Sequence, residues 1–590
     1  MNYTRLFDLL PYSLDKHPKE DALVFKENGE WIKCSTNRYK KNAEYIAYGL
    51  IKLGVKFGDK IGIISNNRPE WNFADMGGMM IGAINVPIYP TISDHDLTYI
   101  IAETQMEYFF VSSLELYEKI LRCDAKSKHI KSIISFNPIN GALYWKDLLE
   151  EGRNNQDATL LTKIKTSILP SHCVTILYTS GTTGHPKGVM LSHDNIVSQL
   201  LAVKKLMPVN SKHRALSFLP LNHVYERMLL YNYFAIGTSI YYAESLETIG
   251  QDLLAVKPHI FTTVPRLLEK IYDKIIAKGN ELTGLKRWLF FWSLKLAGQF
   301  EMNDKKGFIY KTQLKIARKL VFSKWKEALG GNLITAVSGG AALQEKLARI
   351  FWGAGIPVLQ GYGLTETSPV IAVNYLKKKC NKFGTVGPVI NHVQVKIAED
   401  GEILVKGPNI MLGYFNNAEA TNEVIQDGWF HTGDIGEFED GRFLKITGRK
   451  KEIFKTSGGK YISPNSIEGL LAEAPFIEQV MVIGENQKFP AALIVPNIEY
   501  LMARCKENNY PYTTNEALIQ QDWVIKLIDN HVSEVNATLA KYEAIKKFEL
   551  LPHEWTIVNG ELTPKLSLKR KQIMANAEPL IRKIYQSDSQ

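Results

Sequence analysis

The chain has 590 residues, with 71 Lys+Arg against 61 Asp+Glu, 45% hydrophobic and 22% charged residues. This length holds several domains or one large composite one, and the composition matches globular averages, which excludes disordered, collagen-like and coiled-coil classes. Five cysteines, scattered and without CxxC spacing, argue against a disulfide framework or zinc site and for a reducing compartment.

Met1 to Pro11 carries Arg5 and Asp8 and lacks the apolar core of a secretory leader. No run of about 18 uncharged apolar residues predicts a spanning helix, so a cytoplasmic protein is expected. Lys60–Ile64 reads as a short buried strand, followed by a helical pattern over Glu70 to Ile81, a strand at Ile84–Ile88, a helix near Asp94–Glu103 and a strand at Tyr108–Val111. Such alternation predicts crossover units, mostly parallel sheets and an α/β fold. Cys173–Leu177 is another buried strand, and a helix begins at Asp194 after Ser192-His193.

The positive charge has an address. Between Arg266 and Lys326 there are 15 Lys+Arg and 5 Asp+Glu, so the other 529 residues sum to zero. The same stretch holds ten aromatics, among them Trp288, Phe290, Phe291, Trp292 and Trp325. It reads as a helical insertion with a solvated face, or as a surface for nucleic acid or anionic lipid. After Gly401 the texture becomes denser in strands, with Ile403–Lys406, Phe443–Ile446 and Val480–Ile483 between glycine-rich turns. Thr447 to Lys451 reads as a charged linker, and the roughly 140 residues beyond it suit a small separate α/β domain.

The strongest local signal is Tyr178-Thr179-Ser180-Gly181-Thr182-Thr183-Gly184-His185-Pro186-Lys187-Gly188, directly after a strand. Its glycines allow positive φ and close backbone approach, and its N–H groups, hydroxyls and single lysine can surround a polyphosphate. It lacks the spacing of a Walker loop. This segment resembles the phosphate loop of the adenylate-forming superfamily, which includes acyl-CoA synthetases, luciferases and nonribosomal adenylation domains. Further resemblances follow in that family's order over nearly the whole chain. Ser338-Gly339-Gly340-Ala341 is similar to its adenine-side loop, and Gln360-Gly361-Tyr362-Gly363-Leu364-Thr365-Glu366-Thr367 to its second nucleotide signature. Gly428 to Asp434 is similar to its ribose-binding strand, and Gly448-Arg449-Lys450-Lys451-Glu452 to its interdomain hinge.

The resemblance implies ATP, Mg²⁺ and coenzyme A as reactants and cofactor. Glu366 would hold Mg²⁺ with Ser180 or Thr183, since that ion takes hard oxygen ligands and only one or two from protein. Asp434 would accept from both ribose hydroxyls, Arg449 and Lys455 would contact ribose or phosphate, and Tyr362 would stack on adenine. The implied architecture is a large N-terminal acyl- and ATP-binding domain over residues 1–447, a hinge over 448–451 pivoting at Lys451, and a mobile C-terminal lid over 452–590. The N-terminal domain combines parallel-sheet subdomains with a β-rich one.

Leu219-Pro220-Leu221-Asn222-His223-Val224-Tyr225-Glu226-Arg227 resembles the long-chain fatty acyl-CoA synthetase form, which places His223 near the carboxylate at the mouth of an acyl tunnel. Asn67 to Trp71 and Val86 to Thr91 resemble that branch too. One departure stands out. The family's C-terminal catalytic lysine falls at Ser567, and serine cannot supply a cation to the α-phosphate. Lys565 and Lys569, each two residues away, are the expected substitutes, because alternate residues of an extended segment share a face. The expected function is a long-chain fatty acid–CoA ligase. The alternatives are a fatty acyl-AMP ligase, a ligase serving an acyl carrier protein, and a catalytically weak acyl or nucleotide sensor. The insertion over 266–326 is expected to touch anionic membrane rather than nucleic acid.

Overall fold

The computed structural model describes residues 3–125, 129–179, 185–245, 247–302, 306–377, 379–556, 558–563 and 568–586. Near its start the chain makes a hairpin of β1 (Leu23–Glu27) with Glu30–Cys34. The next sheet is built on the parallel strands Lys60–Ile64, Ile84–Ile88, Tyr108–Val111, Ser132–Ser135 and Leu143–Tyr144. These are followed on the other edge by β2 (Cys173–Thr179), an antiparallel β3 (Lys187–Ser192) and Gly413–Tyr414. Every residue of Tyr108–Val111 is buried, as a strand covered on both faces requires. Among the covering helices, α1 (Pro69–Met80) is buried throughout. The helix α2 (Asp94–Thr104) is capped by Ser93, whose hydroxyl accepts from the Asp96 N–H, with Asp94 and Asp96 in its electropositive first turn.

Ser192 ends β3 and caps α3 (His193–Lys204) in a reciprocal pairing with Asn195. A second eight-stranded sheet then takes up the early hairpin. Its order is Glu30–Cys34, β1, Ser239–Tyr242, β4 (Arg214–Ser217), β5 (Ile260–Thr263), β6 (Thr335–Ser338), β7 (Val358–Gly363) and an antiparallel edge at Val370–Val373. Between the two sheets runs α4 (Val224–Ala235), buried at every residue except Tyr225, the sign of a helix with protein on all sides.

The basic stretch is helical, as expected: α5 (Pro265–Asn280), α6 (Gly284–Gly298), α7 (Phe308–Ala317) and Ser323–Ala328. One side of α6 lies on α8 (Glu345–Gly353) so closely that a Cβ at Gly353 would fall 2.6 Å from the Ala297 backbone.

The strand-rich region is an antiparallel sheet of Gly387–Pro388, Gln394–Ile397, β8 (Glu402–Lys406), β9 (Trp429–Glu439) and β10 (Phe443–Arg449). Here the sequence reading needs correction. The linker expected from Thr447 begins later, because Gly448 and Arg449 remain paired with Ile435 and Asp434 and the chain leaves the sheet only at Lys450. Beyond it lie α9 (Pro464–Leu471), a three-stranded sheet of Ile477–Ile483, Ala491–Pro496 and Lys547–Leu550, and α10 (Arg570–Asn576). This C-terminal unit touches the larger body through the ion pair Arg266–Glu478, through Lys346–Glu473 at 3.6 Å, and through Gln344 Nε2 donating to the Ala472 carbonyl at 3.2 Å.

Candidate active site

Ser180, Gly181, Thr182, Thr183 and Gly184 lie outside the described residues, but both flanks of their loop are described. Thr179 and Lys187 are paired across β2 and β3. On one flank Tyr178 donates to Glu103 of α2, whose other oxygen accepts from Tyr99 at 2.9 Å. On the other flank the Tyr99 ring stacks on His185, with centroids 4.4 Å apart. So α2 grips both ends of the loop. No local signal announces Glu103 or Tyr99 as part of it.

Lys187 directs Nζ over the Tyr414 ring at 5.0 Å, and Tyr414 in turn donates to Glu366 Oε1 at 3.0 Å. Glu366 sits in a single helical turn, Thr365–Thr367, fixed by Thr367 Oγ1 donating to the Pro369 carbonyl at 2.7 Å and by the Met411 N–H donating to the Glu366 carbonyl. Its Oε2 has no hydrogen-bond partner among the described residues, and a carboxylate oxygen is the kind of hard ligand that Mg²⁺ takes. Tyr414 lies in none of the motifs singled out above, and sequence reasoning missed it.

Asp434 lies 8% exposed on β9, directly across from Arg449 on β10. Tyr362 at the end of β7 donates to its Oδ2 at 2.7 Å, and Arg449 Nε stands 3.5 Å from Oδ1. Burial pushes the Asp434 carboxyl above the usual carboxylate range, while the Arg449 charge and the Tyr362 bond pull it down. Arg449 is half exposed, so this corner opens to solvent. Tyr362, expected as an adenine-stacking ring, is bonded to Asp434, the carboxylate expected to meet the ribose. Gln360, Gly361 and Gly363 are on the same strand, with Thr365 buried just beyond it. Gly363 cannot carry a side chain, since a Cβ there would overlap the Pro369 carbonyl at 1.6 Å.

Gly339, Gly340 and Ala341 follow β6. A Cβ on Gly339 would meet the Tyr225 ring at 3.0 Å, so the glycine lets the loop lie against that ring. Tyr225 Oη donates to the Val337 carbonyl at 3.0 Å, while Ser338 Oγ is buried without a hydrogen-bond partner among the described residues. A buried hydroxyl left unsatisfied between two such strands is unusual and fits a polar ligand group arriving there.

His223 begins α4 and accepts the Tyr225 N–H at 3.1 Å, capping the helix. The two residues after Tyr225 join the two large sheets. Glu226 accepts from Ser217 on β4 and Thr262 on β5, and with no cation bonded to it, burial pushes its carboxyl up to about 7. Arg227 pairs with Asp75 of α1 and donates to Thr175 on β2 at 2.8 Å. Asp75 also accepts from Tyr231 and, at 2.8 Å, from Asn85.

In the segment expected as a hinge, Lys450 Nζ lies 2.6 Å from Asp400 and 2.9 Å from Glu402, and Lys451 is exposed in the following turn. Lys455 is exposed on the short strand Phe454–Lys455, its ammonium 5.5 Å from the Tyr461 ring. Lys565 and Ser567 lie outside the described residues. Lys569 immediately precedes α10, and its N–H donates to the Glu561 carbonyl at 2.8 Å, next to a bridge between Leu562 and Leu568. The backbone is therefore extended at Leu568 and turns helical after Lys569.

Comparison with known proteins bears on this constellation as a whole. Residues 10–415 match the model of the AMP-binding enzyme family, and residues 451–589 match the AMP-binding enzyme C-terminal domain. The long-chain-fatty-acid–CoA ligase FadD15 of Mycobacterium bovis is 31% identical, covering 98% of this chain and 99% of its own. The human long-chain-fatty-acid–CoA ligase ACSBG2 is 32% identical over 95% of this chain and 89% of its own. In backbone, the anthranilate CoA ligase AuaEII, solved with anthranoyl-AMP, superposes with a TM-score of 0.73 at 19% identity, covering 98% of each chain. The two matches together span most of the chain, and the chain belongs to the AMP-binding enzyme family.

Proposed function

We propose that the protein is a long-chain fatty acid–CoA ligase that works in two half-reactions. A carboxylate oxygen of the fatty acid attacks the α-phosphorus of ATP, the bond to the β-phosphate oxygen breaks, and pyrophosphate leaves. The sulfur of coenzyme A, having released its proton, then attacks the acyl carbon, and AMP departs with the C–O bond electrons. The observation that carries this reading is the open corner of Asp434, Tyr362 and Arg449 together with the Lys187–Tyr414–Glu366 chain. The long-chain class is inferred from the end-to-end similarity to two ligases named for such acids.

In this reading Asp434 accepts from the ribose hydroxyls and Arg449 adds a second ribose or phosphate contact. Lys187 and the loop from Thr179 to Gly184 hold the phosphates, and Gly339, Gly340 and Ala341 border the adenine. Glu366, with Ser180 or Thr183, would hold Mg²⁺, which when bound neutralises charge on the phosphates. The protein needs no covalent nucleophile, because positioning and charge neutralisation lower the barrier. His223 faces the acyl carboxylate, and Lys565 or Lys569 brings a cation to the α-phosphate when the C-terminal unit turns about the hinge at Lys450 and Lys451. No helix among the described residues is long and apolar enough to cross a membrane, and we place the enzyme as a peripheral visitor to membranes.

Incubation with ATP, Mg²⁺, palmitate and coenzyme A should release AMP, pyrophosphate and palmitoyl-CoA in equal amounts, as followed by chromatography. Adenylate accumulating without thioester would overturn the ligase reading in favour of an acyl-AMP ligase. Replacing the operative lysine, as Lys569→Ala or Lys565→Ala, should slow pyrophosphate release roughly a hundredfold. If neither substitution does so, the lysine assignment fails.

A further inference from the structure

One stripe of α2 meets both flanks of the loop between β2 and β3. His95, Tyr99 and Glu103 are spaced four residues apart, so they fall on one side of the helix. The opposite side, with Leu97, Ile100, Ile101 and Thr104 buried, lies on the sheet. At its start the helix is tied to its neighbour, because Lys119 and Arg122 of the helix Leu114–Asp124 stand 3.7 Å and 3.4 Å from the Asp94 carboxylate. The stripe therefore has a fixed base.

Each member of the stripe makes a contact beyond its own helix or supports one that does. The His185 ring stacks on both Tyr99 and His95, with centroids 4.4 Å and 5.5 Å away and interplanar angles of 11° and 12°. Glu103 accepts from Tyr99 Oη at 2.9 Å and, on its other oxygen, from Tyr178. Burial and the neighbouring carboxylate push both phenol groups up, so both keep the proton that they donate. The Glu103 carbonyl accepts from Asn416 Nδ2 at 3.4 Å, two residues after the Tyr414 that donates to Glu366. The Phe415 N–H donates to the Gly188 carbonyl at 2.7 Å, and a Cβ at Gly188 would meet the Tyr178 ring at 3.1 Å and Phe415 at 3.3 Å. Both flanks of the loop and the segment that carries Tyr414 are thus fastened to the last turns of α2.

We propose that Glu103 and Tyr99 are positioning residues for the adenylate-forming half-reaction and for that half alone. They act through other side chains. By holding Tyr178, His185 and Asn416 against one helix, they fix Lys187 relative to the Tyr414–Glu366 pair, the cation and the carboxylate assigned above to the ATP phosphates and their metal. An error of about 1 Å in such a placement is enough to cost a large factor in rate. The inference rests on the ligase reading above, in which the β- and γ-phosphates leave as pyrophosphate at the end of the first half-reaction. With them gone the grip has nothing left to place, so attack of coenzyme A on a finished adenylate does not depend on it. A stripe that merely supported the fold would weaken both halves together.

The test measures the two half-reactions separately in the full-length protein. Glu103→Ala should slow palmitate-dependent ATP–pyrophosphate exchange about tenfold and raise the KM for ATP by a similar factor. Single-turnover formation of palmitoyl-CoA from palmitoyl-AMP and coenzyme A should stay within about twofold of wild type. Tyr99→Phe keeps the ring on His185 and loses one hydrogen bond, so it should slow exchange about threefold. Tyr99→Leu loses the ring as well and should approach Glu103→Ala. Glu103→Gln, which keeps an acceptor for one phenol, should restore most of the exchange rate. Where Glu103→Ala fails to fold, the graded pair at Tyr99 decides. Exchange at the wild-type rate in these variants, or equal loss in both half-reactions, would overturn the proposal. Formation of palmitoyl-CoA by the wild-type protein from ATP, palmitate and coenzyme A tests the ligase reading itself, so failure of one is not mistaken for failure of the other.

Discussion

Two places in the molecule use the same three groups, a carboxylate, an arginine and a tyrosine, to opposite ends. Between the sheets, Asp75 meets Arg227 and Tyr231, with the two charged side chains 0% and 1% exposed. At the rim, Asp434 meets Arg449 and Tyr362, with side chains 11% and 51% exposed. In the first group both carboxylate oxygens are spoken for, by Arg227 and Asn85 on Oδ1 and Tyr231 on Oδ2. In the second, Oδ1 has an arginine at 3.5 Å, beyond a good hydrogen bond. Exposure and unspent acceptor capacity, not residue type, separate a scaffold from a binding corner. The inner group fastens the helix that His223 caps to β2, so the regions proposed to meet the acyl and phosphate groups share one frame.

The comparison can be broken most forcefully from the inside. Arg227→Met strands Asp75 as a buried, unpaired charge and should cost about 3–5 kcal/mol of stability in urea denaturation. Pairing it with Asp75→Leu should recover much of that loss, and a double variant as unstable as the single one would show that the ion pair is not the cause. Glu226 sharpens the contrast, being a buried carboxylate bonded to hydroxyls and to no cation. Its native pKa of about 7 exceeds its ordinary value of 4.5, so the folded state retains a proton that the unfolded chain gives up. That contribution is complete below pH 4.5 and is lost as pH rises to about 7. Glu226→Gln keeps the neutral form, and its stability relative to wild type should improve by up to about 3 kcal/mol across that interval. A flat difference would remove Glu226 from the account.

At the open end the effects appear in rates. Glu366→Ala should lower ATP–pyrophosphate exchange by roughly a hundredfold with little change in urea midpoint. Asp434→Asn, which keeps the shape but removes the charge, should raise the KM for ATP about tenfold and leave the KM for the fatty acid nearly unchanged. If Asp434→Asn unfolds the protein instead, the rim is scaffold as well and the distinction collapses.

Much of this was legible in the chain. The runs at Lys60–Ile64, Ile84–Ile88 and Tyr108–Val111 fall on strands with the expected bounds, because strands buried on both faces are written as short unbroken apolar runs. Glu366 lies in a helical turn just after β7, and Asp434 in the middle of β9. The partners that hold them were not legible. Asp75 and Arg227 are 152 positions apart and Tyr414 and Glu366 are 48 apart, so no periodicity links them. Glu103 sits on an amphipathic helix, where a glutamate usually means a solvated face. The linker was placed too early because Thr447-Gly448-Arg449 has turn-like composition, whereas cross-strand pairing with Asp434 keeps it in the sheet.

The hairpin at the chain's start carries a consequence for how the protein is made. Leu23 and Val24 of β1 pair with Ile240 and Tyr241, which leave the ribosome on the order of tens of seconds later at typical synthesis rates. The sheet of Lys60–Ile64 can be nearly complete by Ser192 while the hairpin still lacks its neighbour. During that interval an open strand edge faces the surrounding solution or a chaperone. Lys26, Glu27, Glu30 and Lys33, spaced along the hairpin, put charges of both signs on the nascent ribbon and guard it against pairing with the wrong strand until the right one is translated.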